Sequence, residues 1–139
     1  MSIKFKDQEH KEFYNRMLTG ISKNDTYRKS FFYTMGISEE TRNNIKNLYD
    51  FKENCIKFEG LHDGWQTGGS MRISRLALNL FNGYAEKGNE TLSTPYELFD
   101  CGFAPYFFEA IKLRYPEFCQ DISKSRSNGI SLWGDTNEK

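Results

Sequence analysis

Cysteine is scarce in this sequence, with three in 139 residues. Cys55, Cys101 and Cys119 are odd in number and widely spaced, a pattern that a reducing compartment leaves as thiols. They read as small, mostly buried hydrophobes rather than a disulfide framework. Neither they nor His10 and His62 show C-x-x-C or H-x-x-x-H spacing, which removes the credible routes to a zinc site, and no cofactor is implied. Net charge is also missing, because 19 basic and 19 acidic residues cancel. No whole-chain field therefore draws the protein to nucleic acid or to an anionic membrane. Mimicry of DNA, which needs a large excess of acids, is excluded on the same ground. No run approaches the roughly 20 apolar residues that span a bilayer, and Met1-Ser2-Ile3-Lys4-Phe5-Lys6-Asp7 lacks the apolar centre of a signal peptide. The expectation is a cytoplasmic protein that does not meet the membrane.

Aromatic residues, by contrast, are plentiful: twelve Phe, eight Tyr and two Trp bring the aromatic share to 16%, and each can bury a large area. A chain of this length fits one domain and can hide roughly two thirds of its unfolded surface without staples. No internal repeat and no dividing linker is present. Residues 1–123 are read as one globular helical domain and 124–139 as a polar tail, whose Ile130, Leu132 and Trp133 suggest docking on the domain or on a partner.

The elements are helical almost throughout. Asp7 to about Leu18 carries Phe13, Met17 and Leu18 at helical spacing, with Glu9 and Glu12 early, where they complement the dipole. His10 is read as a solvated or half-buried surface residue. Asn24 or Asp25 caps an aromatic core helix ending at Met35, and Ser38 caps a third whose inner stripe is Ile45, Leu48 and Tyr49. Residues 51–64 read as an irregular connector, because the alternation Ile56-Lys57-Phe58-Glu59 has no obvious strand partner. Thr94-Pro95 opens a short helix through Phe99, and Ala104-Pro105 begins another to Arg114, with Phe103, Phe107, Phe108, Ile111 and Tyr115 along one side. The fold class is all-α, five to seven helices around a central Ser70–Gly83 and Pro105–Arg114 pair.

The Ser70–Gly83 helix is also the best candidate for a site. Ile73, Leu76, Ala77, Leu80, Phe81 and Tyr84 form its core face. Arg72, Arg75, Asn79 and Asn82 form a polar stripe starting beside the segment Trp65-Gln66-Thr67-Gly68-Gly69-Ser70, in which Ser70 can cap. Flexible amides meeting a helix N-terminus favour anions, and two arginines in the first turns add forked donors for phosphate or carboxylate. The segment lacks the Lys-Ser/Thr ending of a P-loop, and no strand precedes it. The plainer reading is a sharp turn and a cap, with Arg72 and Arg75 paired to acids such as Asp63 or Asp100 and the asparagines bonded to backbone. Trp65 is a core anchor or a rim aromatic. No nucleophile with an adjacent base emerges. His62-Asp63 comes nearest to an acid–base pair, and adjacent residues rarely converge.

The stretches Phe31-Phe32-Tyr33-Thr34-Met35-Gly36-Ile37, Gly64-Trp65-Gln66-Thr67-Gly68, Arg75-Leu76-Ala77-Leu78-Asn79-Leu80 and Ala104-Pro105-Tyr106-Phe107-Phe108-Glu109-Ala110-Ile111-Lys112-Leu113-Arg114-Tyr115-Pro116 resemble a family of small proteins known only as a domain of unknown function. The resemblance covers about residues 5–120 and implies a setting in Gram-positive bacteria, their phages and mobile elements. It brings no catalytic residues with it. The setting implies a non-enzymatic accessory role: docking on a protein partner through shape and aromatic contacts, as an anti-CRISPR-like inhibitor of a bacterial defence system. The alternative from the residues is a small anion- or nucleotide-binding module, with or without enzyme activity, that uses Gln66–Ser70 with Arg72 and Arg75. Direct nucleic-acid binding through the same arginines is a weaker third class, which a steep salt dependence would reveal.

Overall fold

Local capping rules account for most of the helix starts. The computed structural model describes residues 2–21, 24–120 and 122, so the tail and its Ile130, Leu132 and Trp133 lie outside the described residues. Helix α1 spans Gln8–Thr19, where the Asp7 carboxylate accepts from the His10 amide at 2.8 Å. Helix α2 spans Thr26–Met35, with Asp25 accepting from the Arg28 amide at 2.9 Å and pairing with the Arg28 guanidinium at 2.7 Å. Ser38 caps α3, Glu39–Asn43, as its sequence suggests.

That third helix is shorter than expected. The Asn44 side chain donates to the Glu40 carbonyl at 2.8 Å, and the chain continues as a 3₁₀ turn over Ile45–Asn47. A side-chain amide bonding its own backbone competes with the helix here. Ile45, Leu48 and Tyr49 are buried nonetheless. The connector reading of 51–64 also needs correction, because a two-strand hairpin exists and its partner precedes the turn. Strand β1, Tyr49–Asp50, pairs antiparallel with β2, Cys55–Ile56, in the register Tyr49 to Ile56 and Asp50 to Cys55. Asn54, at φ 57°, takes the left-handed position between them, one that asparagine tolerates better than most residues. A 3₁₀ segment over Phe58–His62 follows. Cys55 is exposed and the other two thiols are partly covered, so Cys55 departs from the mostly buried position expected of all three.

Helix α4 runs Gly68–Asn82 and ends at Gly83, whose φ of 82° only glycine adopts freely. A 3₁₀ turn at Glu90–Ser93, helix α5 at Pro95–Leu98 and helix α6 at Ala104–Arg114 complete the order. The protein is all-α apart from the small hairpin.

The centre of the fold is α2. It packs extensively on both α4 and α6, which meet each other much less, so the expected central pair is a layer on either side of a third helix. The reason is legible in α2 itself, whose Phe31, Phe32, Tyr33 and Met35 all lose their solvent; four large apolar residues in five positions point to more than one face. Around them, Phe31 meets Phe32, Tyr49 and Phe81 at ring-centroid distances of 5.2, 5.4 and 6.0 Å. On α4 the covered surface extends past the predicted stripe to Ser74 and Leu78. On α6, in contrast, Phe108 stays exposed, although the sequence places it on the apolar side with Phe103, Phe107 and Ile111.

His10 departs furthest from its sequence reading. It is fully buried, because the chain before the Asp7 cap turns back over α1 and meets the end of α2. The Lys6 amide donates to its Nδ1 at 3.1 Å, and its Nε2–H donates to the Tyr33 carbonyl at 2.7 Å, which fixes the neutral tautomer. Burial is the main influence on its pKa, lowering it to about 4, and only partly opposed by the Tyr33 bond. Since the unfolded imidazole titrates near 6.5, the unfolded chain binds one more proton between pH 6.5 and 4. Stability is unaffected above that window and falls as pH drops through it, by about 3 kcal/mol in total from this group. The measurement is urea unfolding from pH 7 to 4 on wild type and His10→Gln. Wild type is expected to lose stability more steeply than the variant by up to about 1.4 kcal/mol per pH unit, and parallel profiles would contradict the assignment.

Candidate functional site

The site is built outward from the start of α4. Thr67, not Ser70, is the N-cap: its hydroxyl accepts from the Ser70 amide at 3.2 Å, while the Ser70 hydroxyl oxygen accepts from the Thr67 amide at 2.7 Å. Ser70 is thus the reciprocal partner in a capping box. Gln66 locks the arrangement further, accepting from the Ser70 hydroxyl at 2.6 Å and donating to the Ser74 hydroxyl at 3.2 Å. The segment expected to be flexible is a hydrogen-bonded cap. Among the described residues it leaves the Gly68 and Gly69 amides without an acceptor. Gly69 backs onto the Phe103 ring, whereas a side chain at Gly68 would meet nothing within 4 Å.

One turn on, Arg72 donates from Nε to the Glu97 carbonyl at 3.0 Å and ties α4 to α5. Arg75 is only 6% exposed and pairs through Nη2 with a Glu86 carboxylate oxygen at 3.0 Å. Neither Asp63 nor Asp100 takes the role expected of it. The other Glu86 oxygen is bonded to His62 Nε2, and Asn89 donates to Glu86 at 3.2 Å. The His62 bond, followed by those from Arg75 and Asn89, holds the Glu86 carboxyl below the usual carboxylate range against the opposing effect of burial. Glu86 is therefore fully occupied. The second terminal nitrogen of Arg75, Nη1, is buried without an acceptor among the described residues.

That donor belongs to a side chain that lines an open cavity of about 250 Å³. Gly68, Met71, Arg72 and Arg75 form one wall, and Leu92 and Glu97 the other. A buried guanidinium N–H left unpaired costs about 1–3 kcal/mol or more, so native structures rarely leave one without a partner.

Of the residues predicted from sequence, Gly68, Arg72 and Arg75 come together at this cavity. Gln66, Thr67 and Ser70 shape its helix start from behind. Asn79 and Asn82 are separated from it, because they close the far end of α4 by bonding Tyr84: Asn79 donates to its carbonyl and Asn82 accepts from its amide, both at 3.1 Å. Trp65 is half-buried in the core periphery, its indole N–H without an acceptor among the described residues, and it does not line the cavity. His62 pairs with Glu86 and not with its neighbour Asp63. Glu86, Met71, Leu92 and Glu97 were missed. A signal for Glu86 existed in the Gly83 stop, since a left-handed reversal sends an acid three residues later back along the helix toward an arginine. Among the described residues no three His, Cys, Asp or Glu side chains gather as a metal site, and no helix is long and apolar enough to cross a membrane.

The profile of one family of unknown function, DUF6075, matches residues 1–127. The chain belongs to the DUF6075 family. No curated protein and no solved structure matches it. For this DUF6075 chain, then, the cavity beside α4 carries the functional argument.

Proposed function

We propose that the protein is a small-ligand module that binds a compact anion in the cavity between α4 and α5. The observation that carries this reading is Arg75, a guanidinium only 6% exposed on a side chain that lines an open cavity, with Nη2 paired to Glu86 and Nη1 buried without an acceptor among the described residues. The amide of Gly68 and the positive end of α4 reinforce the same wall, and Arg72 adds a second cation. A ligand oxygen there meets charge-assisted donors in partly desolvated surroundings, where such bonds are strong. No reaction is needed for this role.

Thermal unfolding against acetate, phosphate and nucleotides tests it. A binding anion at a hundred times its Kd stabilises wild type by about 2.7 kcal/mol. The effect should vanish in Arg75→Met and also in Gly68→Leu, which fills the cavity without touching the Glu86 pair. Absence of stabilisation by every anion, or equal stabilisation of both variants, would sink the reading.

A second reading, partner-protein docking, is favoured by the exposed aromatics Phe108 at 59% and Phe118 at 84% on and just beyond α6. Exposed rings of this kind suit a non-enzymatic inhibitor of a bacterial defence system in phages or mobile elements of Gram-positive hosts. Its test is a complex captured from host lysate by wild type and lost by Phe108→Ser/Phe118→Ser; capture unchanged by both substitutions counts against it.

A further inference from the structure

The charges around the cavity narrow the class of anion. Arg72 and Arg75 supply two positive charges; Glu86 already neutralises Arg75, and Glu97 lines the opposite wall. The four groups sum to zero, so a phosphate dianion gains no net attraction in a cavity that Glu97 also lines. A monoanion that also carries a cation meets complementary charge on both walls. The backbone of Glu97 is pinned by the Arg72 Nε bond at 3.0 Å, and Glu97 takes part in no ion pair among the described residues. Met71 and Leu92 add apolar lining between the charged groups. At about 250 Å³ the space falls below the roughly 300–1,000 Å³ of sites for drug-sized ligands.

From these features, and resting on the anion-binding reading above, we infer that the ligand is an amino-acid-like zwitterion. Its carboxylate sits on the wall formed by Arg72 and Arg75, its ammonium faces the wall of Glu97, and a short aliphatic chain lies against Met71 and Leu92. The same α-ammonium carboxylate is complete only in a free amino acid; a peptide end offers one charge or the other.

Calorimetric titration at pH 7 distinguishes these cases, with each of the twenty amino acids, leucinamide, N-acetylleucine and inorganic phosphate as titrants. At least one free amino acid should bind ten times more tightly than phosphate, N-acetylleucine or leucinamide. In Glu97→Gln that preference over N-acetylleucine should shrink to within about threefold while N-acetylleucine binds no more weakly than before. If phosphate or N-acetylleucine binds as tightly as the best amino acid, the zwitterion assignment is overturned and the anion site stands. An advantage held by leucinamide instead points to a peptide N-terminus and equally overturns it. If nothing on the list binds saturably, both the assignment and the anion site fall.

Discussion

Phe31→Ala is expected to destabilise the protein by about 3–5 kcal/mol, against a total stability on the order of 5–15 kcal/mol. The ring is fully buried in α2 and touches three others, from its own helix, from β1 and from α4. Removing it leaves a cavity at the junction that positions α4, and aromatic contacts worth about 0.5–1.5 kcal/mol each disappear with it. Urea unfolding should show a lower midpoint with an unchanged slope, since neither end state changes its compactness. A loss under about 1 kcal/mol would mean that α2 is not the centre of the core.

Gly60→Ala is the second large effect, and it acts by crowding. A Cβ at this position would lie 1.9 Å from the Asn47 carbonyl oxygen and 2.8 Å from its carbon. Those are backbone atoms of a turn held by Asn47 donating to Asn44 at 2.9 Å and Leu48 to Ile45 at 3.0 Å, so no side-chain rotation relieves the clash. The cost should reach or exceed the upper end of the usual range of about 1–3 kcal/mol for overpacking. Because His62 follows two residues later, the displacement also pulls at its bond to Glu86. Gly68→Ala is the control: with nothing near its Cβ, it should be neutral or stabilise by up to about 1 kcal/mol. Equal melting temperatures for the two variants would contradict the described packing.

Much of the fold could be read in the sequence because its signals are local. Asp25, Ser38 and Gly83 cap or end their helices as their chemistry dictates, and Pro105 at the start and Tyr115-Pro116 at the end bound α6. What escaped depends on distance in the chain. His10 looks like a surface residue on its own helix, and only the return of Lys6 and the approach of Tyr33 bury it. The pairing of Tyr49 with Ile56 was hidden because two-residue strands carry no periodicity. At the site, Arg72, Arg75 and Gly68 were visible as a stripe beside a helix start, but the features that give them meaning were not. Glu86 arrives through the Gly83 reversal and Glu97 through the packing of α5, and both lie beyond the end of α4, where helical spacing from the arginines carries no information. The same stripe misled at Asn79 and Asn82, which share its spacing but serve the helix end.

The central claim is that Gly68 and Arg75 face one anion. The most direct measurement is a nuclear magnetic resonance titration of nitrogen-15-labelled protein with acetate, following the Gly68 amide and the Arg75 side-chain resonances. Both should move together along one saturable curve in wild type and stay still in Arg75→Met. Resonances that do not move, or a Gly68 shift that persists unchanged in Arg75→Met, would contradict it.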